Sequence, residues 1–477
     1  LKAADSSVVT ISGLSNAVAT SPVTLLDAGD DGETLFSDGT TQSRGAWSSG
    51  TLTLTVHTGL TVAAGTTYTF GFVVTNPASA QVSPTVNIEA SGSGTIASSA
   101  MAKPGTAIYG VTNGADPLLV VVPTLTTKAI GQSTPANGLS NTITVTLVTD
   151  IDLKAADSSV VTISGLSNAV ATSPVTLLDA GDDGETLFSD GTTQSRGAWS
   201  SGTLTLTVHT GLTVAAGTTY TFGFVVTNPA SAQVSPTVNI EASGSGTIAS
   251  SAMAKPGTAI YGVTNGADPL LVVVPTFTTK AIGQSTPANG LSNTITVTLV
   301  TDMDLKAADS SVVTISGLSN AVATSPVTLL DAGDDGETLF SDGTTQSRGA
   351  WSSGTLTLTV HTGLTVEAAT TYTFSIVVTN PASAQVSPTV NIVASGSATI
   401  ASSAMAKPGT AIYGVTNGAD PLLVVVPTFT TKAIGQSTPA NGLSNTITVT
   451  LVTDMDLKAA DSSVVTISGL SNAVATS

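Results

Sequence analysis

Residues 141–147 read Asn141-Thr-Ile-Thr-Val-Thr-Leu147, with an aliphatic side chain at every second position from Ile143 onward. Thr51-Leu-Thr-Leu-Thr-Val-His57 follows the same alternation. Because successive side chains of a β-strand point to opposite faces, this pattern predicts strands with one apolar and one hydroxyl-rich face. Such strands are typical of an antiparallel sheet that buries one face and exposes the other to water.

Further strands are predicted on both sides of these two stretches. Residues 9–11, 68–74 and 85–88 alternate in the same way, and Asn-Gly, Asp-Gly and Asn-Pro pairs between strands predict turns. The 21 prolines leave little room for helices, and the one helical turn that we predict spans 97–102. The chain is therefore predicted to be all-β.

The sequence is built from one unit that recurs with a period of 152 residues, starting at Leu1, Leu153, Leu305 and Leu457. A catalyst needs one well-formed pocket, whereas near-identical copies in series supply length, valency or a lattice. We therefore expect a structural or multivalent role. We also expect the chain to be a stretch of a longer array.

Each repeat carries enough predicted strands, about nine or ten, for one antiparallel β-sandwich. The alternative is two small sandwiches per repeat, because the stretch that starts at Asn141 echoes the one that starts at Gly50. The predicted ranges are domain 1 (1–123), a sandwich without its first strands, domain 2 (124–275), domain 3 (276–427) and domain 4 (428–477), the first strands of the next sandwich.

One apolar run, Pro117-Leu-Leu-Val-Val-Val-Pro123, lacks the alternation. It predicts either an ordinary buried strand or a segment that packs one repeat on the next or on a neighbouring chain. Phenylalanine replaces Leu125 in later repeats, and such an enlargement would strain a tightly packed core. The predicted interface residues are Leu118, Leu119, Val120, Val121, Val122, Leu125, Phe277 and Phe429.

The densest acidic cluster places five carboxylates on a glycine-rich loop in each repeat. Ca²⁺ needs several oxygen ligands, which such a loop can supply, although the spacing matches neither an EF-hand nor a calcium-binding nonapeptide. A solvated acidic loop is the alternative, and no cofactor other than Ca²⁺ is expected. The candidate metal ligands are Asp27, Asp30, Asp31, Glu33, Asp38, Asp179, Asp182, Asp183, Glu185, Asp190, Asp331, Asp334, Asp335, Glu337 and Asp342.

The overall charge excludes one large class of partners. The chain has 13 basic and 31 acidic residues and a formal net charge of −18, with its bases scattered. No basic patch is present to displace counterions from a phosphate backbone, so we expect no nucleic-acid partner. The longest apolar run is far shorter than the roughly 20 residues that span a bilayer, so no membrane span is expected.

Catalytic chemistry has little support in the sequence. Each full repeat has a single histidine, His57 in the first, and no nucleophile motif accompanies it, so we predict that the protein is not an enzyme. Trp47 is the one tryptophan of its repeat. It is expected to pack in the core, and the alternative is an exposed ring that stacks on a sugar.

The segment Phe277-Thr-Thr-Lys-Ala-Ile-Gly-Gln-Ser-Thr-Pro287, followed by Asn293-Thr-Ile-Thr-Val-Thr-Leu299, resembles tandem immunoglobulin-like repeats of giant surface proteins. Such arrays form bacterial adhesin stalks and filament-type or flagellar-hair-type proteins of unicellular algae. The resemblance implies immunoglobulin-like sandwiches in an extracellular or cell-surface fibre, filament or stalk. Its partners would be neighbouring repeats and identical chains. The alternative is a multivalent adhesin whose domains bind glycans or surfaces.

Overall fold

A computed structural model gives the structure of the protein and describes residues 1–474. Residues 475–477, the end of predicted domain 4, lie outside the described residues. Within residues 1–474 the regular elements are β-strands and short 3₁₀ turns, with no α-helix. The turns span Ala3–Asp5, Gly32–Leu35, Ala155–Asp157, Gly184–Leu187, Ala307–Asp309, Gly336–Leu339 and Ala459–Asp461.

The strands recur in the same order in each repeat. Those of domain 1 are β1 Val8–Ser12, β2 Val23–Asp27, β3 Phe36–Ser37, β4 Arg44–Ser48, β5 Thr51–Val56, β6 Phe70–Phe72, β7 Asn87–Ser91 and β8 Ile96–Ala100. Those of domain 2 are β9 Leu125–Gln132, β10 Ser140–Thr149, β11 Leu153–Lys154, β12 Val160–Ser164, β13 Val175–Asp179, β14 Phe188–Ser189, β15 Arg196–Ser200, β16 Thr203–Val208, β17 Thr213–Val214, β18 Tyr220–Thr227, β19 Asn239–Ser243 and β20 Ile248–Ala252.

The remaining strands belong to domains 3 and 4. Those of domain 3 are β21 Phe277–Gln284, β22 Ser292–Thr301, β23 Leu305–Lys306, β24 Val312–Ser316, β25 Val327–Thr328, β26 Leu330–Asp331, β27 Phe340–Ser341, β28 Arg348–Ser352, β29 Thr355–Val360, β30 Thr365–Val366, β31 Tyr372–Thr379, β32 Asn391–Ser395 and β33 Ile400–Ala404. Those of domain 4 are β34 Phe429–Gln436 and β35 Ile447–Thr453.

The predicted alternation matches the burial of the strands. In β5 every second residue is buried, and β10 repeats this pattern over its whole length. The predicted helical turn at 97–102 is wrong, because most of these residues lie in β8. Strand β8 pairs with β7 in an antiparallel ladder, with Ala100 opposite Asn87. Pairing at the sheet edge outweighs the weak helix propensity of the alanines.

The chain divides into two compact units. The first comprises Leu1–Gly131, Thr142–Val225 and Pro236–Lys255, and the second comprises Gln132–Asn141, Val226–Ser235 and the chain from Pro256 onward. Domain 1 therefore belongs to the first unit, and domain 3 belongs to the second. These units do not test the predicted domain boundaries, which stay predictions.

Domain 3, in the second unit, is a sandwich of two antiparallel sheets. One sheet has the order β21-β22-β31-β26, and the other has the order β25-β28-β29-β24-β32-β33, with β27 beside β29. A single hydrophobic core takes residues from both sheets, including Val297 and Phe374 from the first and Ile315 and Leu358 from the second. The predicted all-β sandwich class is therefore confirmed, with one core for the two sheets of this range.

Domain 1, in the first unit, has one sheet with the order β6-β2-β4-β5-β1-β7-β8, and β3 pairs with β5. Its core is built around Leu52, Leu54 and Phe36. Phe70 and Phe72 lie only partly buried at the margin of this core. In the described residues, domain 1 has no hairpin equivalent to β21 and β22.

Candidate inter-repeat junction

The loop that follows the last strand of domain 2 contains a tight turn at 260–263. The amide of Val263 donates to the carbonyl of Ile260 at 3.0 Å. The two central residues, Tyr261 and Gly262, both have positive φ values, 52° and 71°. Positive φ at both positions is the requirement of a type I′ turn, which glycine meets without strain. The turn places the tyrosine at its tip.

Tyr261 contacts the first residues after β22, beyond the predicted boundary at 275/276. The Nζ atom of Lys306 lies 3.9 Å from the centre of the tyrosine ring. The Asp304 amide donates to the Tyr261 carbonyl at 2.9 Å, and the phenol hydrogen-bonds to Asp309. A cation over an aromatic face contributes about 0.5–2 kcal/mol, depending on its exposure. We call these four residues, together with Gly262, the Tyr–Lys–Asp junction.

Gly262 permits the close approach of the two sides of this junction. A Cβ atom at this position would lie 2.5 Å from the Cβ of Ala368 and 2.8 Å from Oδ1 of Asp304. The same Oδ1 accepts a hydrogen bond from the Ala368 amide at 2.9 Å. A side chain at residue 262 would therefore push apart groups that are already bonded to each other.

The junction recurs after each of the three domains. In the first unit, the Nζ of Lys154 lies 4.0 Å from the Tyr109 ring, and the Asp152 amide donates to the Tyr109 carbonyl at 2.9 Å. In the second unit, the corresponding distances for Lys458, Asp456 and Tyr413 are 3.9 Å and 2.9 Å. The repeated sequence thus gives the same set of contacts three times.

Apolar packing supports the polar contacts. Tyr261, Val263 and Val273 pack against the domain 3 core, which includes Met303 and Leu305. The core of domain 3 therefore extends to side chains that precede residue 276. Apolar burial contributes about 25 cal/mol per Å² of area removed from water. The packing of these side chains therefore stabilises the junction in addition to its polar contacts.

The junction shifts the titration of its tyrosines. Burial, followed by the hydrogen bond to Asp309, raises the pKa of Tyr261 to about 12. At Tyr109 and Tyr413 the largest cause is the hydrogen bond to Asp157 and to Asp461, and it also raises the pKa. In each case the neutral phenol is favoured, because an ionised ring would face a carboxylate.

We expect the phenolate absorbance of the folded chain to show a component that titrates near pH 12 and disappears in Tyr261→Phe. The folded pKa of Tyr261 lies above its unfolded value of about 10, so the stabilising contribution is complete below that pH and is lost as the pH rises through the folded value. Spectrophotometric titration at rising pH measures this component. An unchanged titration curve in Tyr261→Phe would contradict the contact.

A buried amide network lies at the start of domain 3. Asn293 has no exposed surface, and its Nδ2 donates to Gln284 Oε1 and to Asn380 Oδ1 at 2.8 Å each. Gln284 Nε2 donates to the carbonyls of Gly418 and Leu423, at 2.8 Å each. The network thus ties β21 and β22 to the residue after β31 and to the loop after β33. Residues Gln132, Asn141 and Asn228 repeat it.

The five acidic residues predicted as a metal site in domain 1 do not converge as one group. Oδ1 of Asp30 accepts from the amides of Gly32 and Thr69, at 3.2 and 2.7 Å. Oδ1 of Asp38 accepts from the amides of Thr40 and Thr41, at 2.9 and 2.8 Å. Backbone donors hold the pKa of both carboxyls below the usual value. Both aspartates stabilise the loop itself.

The other three carboxylates of domain 1 lie close together. Asp27, Asp31 and Glu33 each offer an oxygen within 4.8 Å of the others. Oε2 of Glu33 is buried and has no hydrogen-bond partner, and the same is true of Oε2 of Glu185 and of Glu337. Among residues 1–474, the equivalent acids of domains 2 and 3 do not form such a group.

The predicted interface residues fall into two sets. Leu118 packs against the domain 1 core, its equivalent Leu422 is fully buried in the domain 3 core, and Leu119 and Val120 are partly buried. Val121 and Val122 are exposed. In the first unit, Val121 and Val122 line a groove that also contains Tyr109 and Gly246.

The second set is the position of Leu125 in each repeat. Leu125 and Phe277 are buried, and Phe429 is partly buried. The run is not a regular strand, and its role as an interface stays a prediction.

Trp47 and His57 are each the one residue of their type in the repeat. Trp47 is 9% exposed, and its ring centre lies 6.3 Å from that of Phe72. Its ring therefore packs inside the sandwich, not at the surface where a sugar could stack. His57 follows β5 and is partly buried, and its amide donates to the Leu35 carbonyl at 2.9 Å.

Neither the junction tyrosine nor the amide network was predicted from the sequence. A signal for each was present. Asn141 occupies the alternation position of Ile143, Val145 and Leu147, so a polar residue stood in the apolar row. Tyr109-Gly110 precedes Asn113-Gly114, which indicates two turns in close succession. The lysine and aspartate partners lie too far along the chain for such local patterns to reveal them.

No helix in the described part of the chain has the length and apolar character needed to cross a membrane. No protein-family profile matches the sequence, and no curated protein sequence matches it.

Several solved structures are similar to the chain. The C-terminal domain of the Streptococcus pyogenes antigen I/II-family protein AspA is 12% identical with a TM-score of 0.33, covering 60% of this chain and 99% of that one. BcpA, the major pilin subunit of Bacillus cereus, is 12% identical with a TM-score of 0.22, covering 76% and 90%. The B domain of a biofilm associated protein is 8% identical with a TM-score of 0.19, covering 59% and 86%. At these TM-scores the similarity assigns no function.

Proposed function

We propose that the chain is a structural repeat segment of an extracellular or cell-surface protein, in which tandem sandwiches build a fibre, filament or stalk. One observation carries the proposal: the Tyr–Lys–Asp junction recurs after each of the three domains, with ring-to-Nζ distances of 3.9–4.0 Å. Repetition of a contact between successive repeats is what a load-bearing array requires.

The chemistry of the junction suits a structural role. It combines a cation over a ring, a backbone hydrogen bond and a phenol–carboxylate hydrogen bond with packing on the next core. Several modest interactions of different kinds fix the relative position of two groups better than one long-range charge pair, which salt would screen. The partners that we propose are neighbouring repeats and identical chains.

Charge supports the same role. The net charge of −18 is spread evenly, about −6 on each full repeat. Like-charged surfaces repel one another over about a Debye length, which discourages unspecific clumping of a long array while leaving specific contacts possible. We include in this proposal the kind of protein that the sequence resemblance indicates, a giant surface protein or an algal filament protein.

The location is tested by labelling intact cells that produce the protein. An antibody raised against the folded chain is expected to label non-permeabilised cells or the material they release. Staining that needs permeabilisation would overturn an extracellular role.

A multivalent adhesin is the alternative function, because repeated domains raise avidity without any new contact. The burial of Trp47 leaves no exposed tryptophan in domain 1 to stack on a glycan. Binding of the chain to a glycan array would favour the adhesin. Absence of binding, together with surface labelling, would favour the structural segment.

Calcium binding by the acidic loop of domain 1 is a separate proposal. The Asp27, Asp31 and Glu33 group, with one buried and unpaired Glu33 oxygen, offers fewer ligands than the six to eight that Ca²⁺ takes. We therefore expect at most millimolar affinity. Calorimetry with Ca²⁺ measures it, and Glu33→Gln should abolish the heat. Micromolar binding, or heat that survives in Glu33→Gln, would contradict this assignment.

A further inference from the structure

The alternating side chains of β22 determine which face of the strand meets the core, but not its alignment along the neighbouring strand β31. From Ile295 to Leu299 every second residue is aliphatic, and the residues between are threonines. Strand β31 is also apolar on its inner side, where Phe374 and Ile376 are fully buried. A shift of two residues would therefore keep each aliphatic side chain inside and each threonine outside. The alternation excludes only shifts by an odd number of residues.

The backbone hydrogen bonds do not distinguish these alignments either. Strand β22 pairs with β31 from Ser292 opposite Thr379 to Leu299 opposite Tyr372. Hydrogen-bonded and non-hydrogen-bonded pairs alternate in an antiparallel ladder, so its bonds can form again after a shift of two residues. No tight turn fixes the alignment, because residues 302–371 lie between the two strands. Other contacts must therefore define the register.

The buried amide of Asn380, the residue that follows β31, supplies some of these contacts. Its Oδ1 accepts from Nδ2 of Asn293 at 2.8 Å. Its Nδ2 donates to the carbonyls of Thr286 and Ala288, at 2.8 Å each. Both carbonyls lie in the loop between β21 and β22. The side chain of Asn380 thus binds the β21–β22 hairpin through Asn293 and through its loop.

Gln284 makes the corresponding contacts from β21 to the loop after β33. Its Oε1 accepts from the Leu422 amide at 2.8 Å. Its Nε2 donates to the carbonyls of Gly418 and Leu423, at 2.8 Å each. A shift of two residues would move the hairpin by about 7 Å along β31. These partners would then be out of hydrogen-bonding reach of Gln284.

We propose that the amide network of Asn293, Gln284 and Asn380 selects the register in which the β21–β22 hairpin joins the sandwich. In a shifted register these amides would stay in the apolar interior without most of their partners. Each buried polar group that loses its partner lowers the population of that register about tenfold. Domain 2 contains the same network. The inference concerns the specificity of folding and does not depend on the proposed function.

The test traps the register with pairs of cysteines, because the chain has no cysteine of its own. Thr296 lies opposite Ser375, and their hydroxyl oxygens are 2.9 Å apart. The pair Thr296→Cys with Ser375→Cys therefore reports the observed register. Thr296→Cys with Thr373→Cys, or with Val377→Cys, reports the two registers shifted by two residues. A disulfide forms readily only where the Cα atoms lie within about 7 Å.

Each cysteine pair is placed in the full chain and refolded in a glutathione buffer, and its disulfide is quantified by peptide mapping. With the network intact, we expect the crosslink of the observed register to predominate. The double variant Asn293→Leu with Asn380→Leu should raise the ratio of shifted to observed crosslinks roughly 100-fold or more. Asn380→Leu alone keeps Asn293 bonded to Gln284 and should raise the ratio about tenfold. The single variant decides the question if the double variant does not fold.

The matched control is Val297→Ala, which weakens the same core without removing a polar contact. It should leave the ratio of crosslinks unchanged. A ratio that stays at the level of the intact chain when the amides are removed would show that apolar packing sets the register, and would overturn the proposal. An equal rise in Val297→Ala would overturn it as well, since the shift would then follow from a weaker core.

Discussion

Asn293→Ala is expected to destabilise domain 3 by about 3 kcal/mol, because one buried acceptor and two partly buried amides lose their partner at once. The substitution removes the donor to Asn380 Oδ1 and the acceptor of the Ser285 and Thr286 amides. Each buried group left unsatisfied costs about 1–3 kcal/mol. Hydrogen exchange of the β22 and β31 amides in increasing denaturant measures this loss.

The chain contains a matched control for that substitution. Asn445 makes the same local hydrogen bonds, to the Ser437 and Thr438 amides and to Gln436, but it is exposed. Water can replace those bonds, so Asn445→Ala should cost less than about 0.5 kcal/mol. Equal losses at the two positions would show that burial of the network is not what stabilises domain 3.

Gly262→Ala is expected to open the second Tyr–Lys–Asp junction. The added Cβ would meet Ala368 at 2.5 Å and Asp304 at 2.8 Å, so the two sides must separate. Overpacking of this kind costs about 1–3 kcal/mol, in addition to the strain of alanine at a φ of 71°. We expect the Asp304 amide to lose protection from hydrogen exchange about tenfold or more.

Gly257→Ala separates the clash from the backbone strain. Gly257 has a φ of 64°, and a Cβ atom added there would have no neighbour within 4 Å, so alanine at this position is strained without a collision. It should leave the Asp304 amide protected. The Asp456 amide, which donates to Tyr413 in the next junction, serves as an internal reference and should be unchanged in both variants. Loss of protection at Asp304 in Gly257→Ala would contradict the steric account.

The sandwich strands could be predicted because their information is local. The alternation of apolar and hydroxyl side chains in Thr51–Val56 and in the stretch after Asn141 indicates which face of each strand meets the core. The structure buries those apolar faces. Strand β8 could not be predicted, because the four alanines and serines from Ala97 to Ala100 carry no period, and only pairing with β7 makes them a strand. Local pattern identifies a strand only where one face is apolar.

The junction could not be predicted for a different reason. Tyr261 and Lys306 are separated by 45 positions and belong to different predicted domains, so no periodicity links them.

The acidic loop shows the opposite case. Its five carboxylates are close together in the sequence, but they do not all converge in the structure. Two of its five carboxylates, Asp30 and Asp38, accept backbone hydrogen bonds and stabilise the turns that hold them.

We expect each repeat to fold as one sandwich and successive sandwiches to carry load in series. Stretching single 477-residue chains between two handles tests both expectations. Unfolding a repeat of 152 residues should release about 500 Å of contour length, at roughly 3.3–3.6 Å per residue. Discrete force peaks separated by that length are expected. Peaks separated by half that length, or extension without discrete peaks, would contradict it.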